Sequence, residues 1–244
     1  MSCLAIMQPT FLPWLGYFAL IDQADRFVFL DDVQFSKQSW QSRNRIKGPN
    51  GEVMLSLSVA RKPSKPLIME AKLAENGFEA KLMKSVQACL GKAPHYPLVA
   101  EILTEGFAQI PLGLSAVNRS IIAAIAKATG IETPMVLASE SGMPGGEKSD
   151  RLLAFCETFG ASSYLSPVGS YGYLSAQNPF AQSTVTLGFQ NFAHPVYPQF
   201  FGPFQSHLAA IDALAHVGPE GFLPLVRSGI HPPHSIEDIA RMSQ

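Results

Sequence analysis

The chain opens on a compact apolar run, Leu4 to Gln8, closed by Pro9, and a second run follows at Phe27 to Leu30. Short apolar runs bounded by turn residues read as buried strands. Between them Pro13 and Gly16 punctuate an aromatic loop, and a helix is predicted from about Leu15 to Ala24. Strand, helix and strand in so little chain make a parallel βαβ unit. After Asp31-Asp32, the polar segment Asn44 to Lys47, the turn Gly48-Pro49-Asn50-Gly51 and the alternating Val53, Leu55, Leu57 and Val59 predict a β-hairpin. Arg61 to Pro66 is a basic, proline-punctuated loop that separates this sheet from a helical region.

From about residue 78 to 129 the apolar period is helical. Leu82, Val86, Cys89 and Leu90 form one stripe and Val117, Ile121, Ile122 and Ile125 another. Gly91 to Pro94 and Pro111 to Gly113 divide the region into three pieces. A strand at Pro134 to Ala138, a loop from Ser139 to Gly146, a helix from about Glu147 to Phe159 and a strand at Ser163 to Ser166 predict a second βαβ unit. Thr184 to Phe192 alternates as another strand. A helix over Ser206 to Val217 and a short one near Phe222 to Val226 follow. The expectation is one α/β domain over residues 1–244, with a Rossmann-like, mostly parallel sheet, a β-hairpin and a helical insertion at about 78–129.

Composition narrows this picture. The 244 residues are 47% hydrophobic and 15% charged, enough for a sizeable core. A formal net charge of -1 argues against a protein that tracks a nucleic-acid backbone, so any basic site must be local. Cys3, Cys89 and Cys156 have neither a disulfide framework nor metal-ligand spacing, and they suit a reducing cytoplasm. The sequence has no apolar run long enough for a membrane span and no signal-peptide pattern at its start. A cytoplasmic protein is expected.

Candidate chemistry concentrates near the start. Asp31-Asp32 lies just past a predicted parallel strand, at the edge where open α/β sheets bind ligands. The pair suits orienting a hydroxyl, holding an amine or supporting Mg²⁺; capping a turn is the other reading. From Lys37 to Lys47, cations interleave with Trp40, which suits stacking on a base or sugar, or simply a solvated loop. On a hairpin, Arg43 and Arg45 share a face and could clamp one anion, which favours a phosphorylated small ligand over single-stranded RNA. Gly142 to Lys148 precedes a helix whose N–H groups favour an anion, with Lys148 and Arg151 in the first turn; a plain loop is equally open. Neither a Walker nor a dinucleotide-binding glycine fingerprint is present. His194, in the stiff segment His194-Pro195-Val196-Tyr197-Pro198-Gln199, is a candidate general base. His207 and His216 fall in an apolar helix and read as packed or solvent-facing, and His231-Pro232-Pro233-His234 reads as a tail rather than a zinc site. Ser206, His207 and Asp212 crowd one helix too closely for a catalytic triad.

Taken together, Gln8-Pro9 with Leu12 to Phe18, Phe29 to Lys37, Trp40, Arg43 to Lys47 and His194 to Gln199 resemble the WbqC-like family, named for a protein of bacterial O-antigen gene clusters. The resemblance extends to Lys148, Arg151, Tyr164-Leu165-Ser166 and Ile211-Asp212. It implies a role in surface polysaccharide assembly, with acyl or aminoacyl transfer to an amino sugar or nucleotide-sugar. Asp31 and His194 would be catalytic. Gln8, Trp14, Tyr17, Asp32, Gln34, Lys37, Trp40, Arg43, Arg45, Lys148, Arg151, Tyr197 and Gln199 would bind substrate. No metal site and no particular cofactor is indicated. The loop opening the first helix also resembles the His-X-Gly-His loop of nucleotidylyltransferases, with Trp14 and Tyr17 in place of both histidines. A non-catalytic nucleotide or nucleotide-sugar binder is therefore the alternative.

Overall fold

The computed structural model describes residues 2–62, 64–140 and 142–242. Pro63 of the basic loop and Ser141 of the later loop lie outside the described residues. β1 (Cys3–Met7) and β2 (Arg26–Phe29) pair in parallel around α1 (Leu15–Asp22), as the apolar pattern predicts. β3 (Arg43–Gly48) and β4 (Gly51–Ser56) form a separate antiparallel hairpin, with Gly48 opposite Gly51 across Pro49-Asn50. The hairpin is shorter than the alternation suggests. Leu57 donates its N–H to Ser42 O, and Val59 bridges to Leu73 instead. The helical region resolves into α2 (Phe78–Leu90), α3 (Tyr96–Phe107) and α4 (Leu114–Thr129), broken where glycine and proline indicate.

β5 (Met135–Leu137), α5 (Lys148–Thr158) and β6 (Ser163–Ser166) follow, then α6 (Tyr171–Ala176), β7 (Thr186–Phe192), α7 (Ala210–Ser228), β8 (Ile230–His234) and α8 (Ile236–Met242). The main sheet has the order β5-β2-β1-β6-β7-β8, parallel except for the last pair. The second βαβ expectation needs correcting, because β5 and β6 are not neighbours; the crossover through α5 carries the chain back past β2 and β1. The five parallel strands thus have the doubly wound order.

Alternate residues feed two cores. Phe27 and Phe29 join Ala5 and Leu165 under α1, α4 and α7, while Val28 joins Leu4, Ile6 and Tyr164 under α5, α6 and α8. The sheet is therefore covered on both faces, as near-continuous apolar strands require.

Two corrections concern the C-terminal part. The helix expected over Ser206 to Val217 begins only at Ala210, because Ala209 N–H bonds Arg45 O and Ala210 N–H bonds Pro13 O, holding the preceding residues extended against the hairpin and the aromatic loop. It continues to Ser228 across a kink at Gly218, where φ is +71° and Pro219 follows. The histidine-proline segment is no tail. It forms β8, an edge strand, where prolines without N–H groups are tolerated.

Asp212 fastens these pieces together. Its side chain is fully buried; Oδ2 accepts the Lys47 N–H at 3.0 Å and Oδ1 accepts the Tyr197 hydroxyl at 3.2 Å. Lys47 in turn donates Nζ to the Gly202 carbonyl at 3.0 Å and to that of Pro203. Burial raises the Asp212 pKa, against the stabilising Lys47 N–H bond. Asp212→Ala would leave two buried donors unpaired and should cost about 2–4 kcal/mol in urea unfolding, with Asp212→Asn, which keeps an acceptor, costing clearly less.

Candidate functional site

The strand order reverses between β1 and β6, with α1 on one face of the sheet and α5 on the other. Neither helix layer covers the carboxyl edge there, which leaves a crevice. It holds a cavity of about 830 Å³. Its floor comes from the strands, Met7 ending β1 with Gln8 just after it, Tyr164 on β6 and Gln190-Asn191 on β7. Its walls come from Trp14 and Tyr17, from Ser39 to Gln41, and from the loop Pro167 to Ser170 with Tyr173. No lysine, arginine, aspartate or glutamate lines it.

Several of these polar groups are held from behind. Asn118 on α4 donates Nδ2 to Pro9 O at 2.9 Å and to Gln41 O at 2.8 Å, tying the loop after β1 to the one before β3. Gln41 Nε2 then donates to Gln8 Oε1 at 2.7 Å, while Gln41 Oε1 accepts the Ser36 N–H. The Gln8 amide is thereby oriented, and its Nε2 has no protein partner among the described residues. Gln190 donates Nε2 to Gly16 O at 2.7 Å. Ser166 and Ser170 hydrogen-bond each other beneath Tyr164, whose hydroxyl lies 3.5 Å from Ser166 Oγ. Burial drives the Tyr17 and Tyr164 pKa values up, so both stay neutral phenols.

Trp14 is the residue just before α1 and lines both cavities. A Cβ added to Gly16 would lie 2.3 Å from the indole, so glycine is required for the ring to lie on the first turn of α1. His207 stacks on that ring with centroids 5.0 Å apart, and His194 with centroids 6.0 Å apart. His207 is not helical; it sits at φ +59° in the extended approach to α7. Beside it opens an annex of about 270 Å³, lined by Trp14, Trp40, Asn44, Arg45 and His207. The annex and the larger cavity share Met7, Thr10, Trp14, Tyr17 and Trp40.

The other expected site residues do not converge. Asp31 is buried, accepting from Ser139 N–H at 3.1 Å and Ser139 Oγ at 3.0 Å, so its carboxylate serves loop packing. Asp32 and Arg151 hold each other in a bidentate ion pair, and Arg151 Nε also donates to Pro144 O at 2.9 Å. Lys148, Gln34 and Lys37 are exposed away from both cavities. Arg43 and Arg45 share a face of β3 as expected, but Arg45 pairs with Glu52 at 2.9 Å and Arg43 lines neither cavity. Tyr197 is committed to Asp212, and Gln199 clamps Gln205 through two 2.9 Å bonds.

His194 lines neither cavity. Its Nδ1 bonds Pro195 O at 3.0 Å, and Nε2 is buried without a partner among the described residues, enclosed by Trp14, Phe192, Tyr197, Phe204 and His207. The thiols supply no nucleophile either, since burial raises Cys3 and Cys89 and pushes Cys156 up to about 12. Gln41, Asn118 and Gln190 are not legible as site residues from the sequence, and His207, expected to pack in a helix or face solvent, lines the annex instead. Gln190 falls at a polar position of an alternating strand and Asn118 on an apolar helix, and neither pattern marks a site, since their partners are remote in sequence.

The fold and cleft define a mixed α/β protein with a ligand-sized crevice at the reversal of its sheet. Residues 8–222 match the model of the WbqC-like protein family, and the chain belongs to that family. It is also similar to an uncharacterized protein of Mycobacterium tuberculosis, 28% identical over 222 residues that cover 90% of this chain and 96% of the relative. No solved structure matches it. Among the described residues, no helix is long and apolar enough to cross a membrane.

Two outcomes test the aromatic cluster. Burial lowers the His194 pKa below the ordinary value of about 6.5, so its contribution to stability is present above that pH and is lost as pH falls through the folded-state pKa. Chemical unfolding from pH 7 to 5 should therefore show a shallower loss in His194→Phe than in wild type. Gly16→Ala, which forces the indole off α1, should cost about 1–3 kcal/mol and shift the tryptophan emission.

Proposed function

We propose that the chain is a transferase that moves an acyl or aminoacyl group onto an amino sugar, free or nucleotide-linked, in surface polysaccharide assembly. The observation that carries this reading is a pair of neighbouring compartments, one large and one small, that share Met7, Thr10, Trp14, Tyr17 and Trp40 as lining. A transfer reaction needs two substrates side by side, and holding both converts a bimolecular step into a local one. The larger compartment has the chemistry of sugar recognition: amides from Gln8, Gln41, Gln190 and Asn191, hydroxyls from Thr10 and Tyr164, and indole faces. Its lack of cations favours the neutral ring portion of a ligand over a pyrophosphate.

In the reaction, the neutral amine forms a bond to the acyl carbon of an activated donor such as a thioester, the leaving group departs with its electron pair, and the amine proton passes to a base. His207, which lines the annex, is placed for that proton; His194 fixes the Trp14 ring by stacking. The alternative is a non-catalytic binder of a nucleotide or nucleotide-sugar. The enclosure of His194 and Asp31 away from the cleft favours it.

Thermal unfolding with glucosamine, N-acetylglucosamine and a nucleoside-diphosphate amino sugar, followed by mass spectrometry after adding acyl thioesters, separates the readings. An amino sugar at a hundred times its Kd should stabilise the fold by about 2.7 kcal/mol, and Gln8→Ala should weaken that. Stabilisation by none of these ligands would sink the proposal; stabilisation with no acylated product would leave only the binder.

A further inference from the structure

We infer that the annex is the seat of a small organic carboxylate without an ammonium group. The binding does not depend on the proposed transfer. Arg45 carries the one guanidinium that lines either cavity. Its Nη1 donates to Glu52 at 2.9 Å, and its Cζ lies 5.8 Å from the centroid of the Trp40 ring. A guanidinium has five N–H donors in a planar fork, so one bond to Glu52 leaves most of them uncommitted. Its Nε is buried with no partner among the described residues.

His207 completes the polar side. Its Nδ1 is engaged by Ser206 Oγ at 2.8 Å, so Nε2 is the nitrogen left for a ligand. Stacking on Trp14 fixes the ring, and the left-handed backbone at φ +59° turns it toward the annex at a cost only surrounding structure sustains. Asn44 sits on the same wall, its Nδ2 spent on Leu12 O at 2.7 Å and its Oδ1 on the Arg45 N–H. It therefore adds no free donor and no charge.

The remaining lining explains the rest of the ligand. Met7, Pro13 and the two indoles supply an apolar slot for a short hydrocarbon chain. No aspartate or glutamate lines the annex, so an ammonium group would enter without a counter-charge and would lose its hydration uncompensated. The carboxylate, by contrast, meets a guanidinium and an imidazole beside low-dielectric ring surfaces, where charge-assisted bonds are strongest. The larger cavity has an imidazole, His234, but no guanidinium to pair with it.

The protein carries its own reporter, because its two tryptophans, Trp14 and Trp40, both line the annex. Titrating the full chain with butyrate, butyramide and L-2-aminobutyrate while following tryptophan emission tests the assignment. Butyrate should give a saturable change, with the neutral amide and the zwitterion each roughly tenfold weaker or more. Arg45→Gln should weaken butyrate by roughly ten- to a hundredfold and leave butyramide unchanged. Glu52→Gln removes a competing carboxylate from Arg45 at an exposed position and should tighten butyrate roughly twofold to fivefold.

Equal binding of acid and amide, preference for the zwitterion, or full butyrate affinity in Arg45→Gln would overturn the assignment. If Arg45→Gln fails to fold, Glu52→Gln decides alone, with unchanged or weaker butyrate binding counting against it. Stabilisation by amino sugar, measured on the same proteins, keeps the two claims apart. Its absence beside intact butyrate discrimination removes the sugar reading and leaves the annex standing.

Discussion

A twisted parallel sheet can be covered by helices on both faces, but where its strand order reverses, the two crossovers diverge and the carboxyl edge stays open. Here the divergence falls between β1 and β6. The floor of the large cavity is delivered by that constraint: the end of β1, the end of β6 and the last residues of β7 are brought to one rim although they are far apart in sequence. The insertion between β2 and β5 closes the remaining side. Its hairpin is pinned by Asp212 and by Asn44, which donates to the Leu12 carbonyl, so Trp40 and Arg45 stand against the aromatic loop.

The distribution of charge within the cleft is more informative than its size. The cations that make the amino-terminal stretch look basic mostly do not face the cleft: Lys47 is spent on backbone carbonyls, Lys37 and Arg43 line neither cavity, and one arm of Arg45 is held by Glu52. A neutral, amide-rich chamber and a small annex with one guanidinium remain. That division assigns different chemistry to the two parts of the site, and the Trp14 indole stands at the boundary. The imidazoles of His194 and His207 reach the same indole from the far end of the chain. One of them is sealed and the other lines the annex.

The amino-acid pattern by itself determined the strands β1, β2 and β6, the three helices of the insertion and the family, because each rests on local periodicity, on glycine and proline punctuation, or on contiguous motif residues. It also located the aromatic loop, with Gln8, Trp14, Tyr17, Trp40 and Arg45 near a cleft. Only the tertiary structure decided that Asp31, Tyr197 and Gln199 are packing groups, that His207 leaves the helix its neighbours predict, and that the His231–His234 segment pairs as an edge strand. Hydrogen bonds such as Lys47 to Asp212 and Asn118 to Gln41 join residues remote in sequence, and the function of a polar side chain follows from which partner reaches it first. Periodicity encodes which face of an element is buried; it carries no record of what lies across from that face.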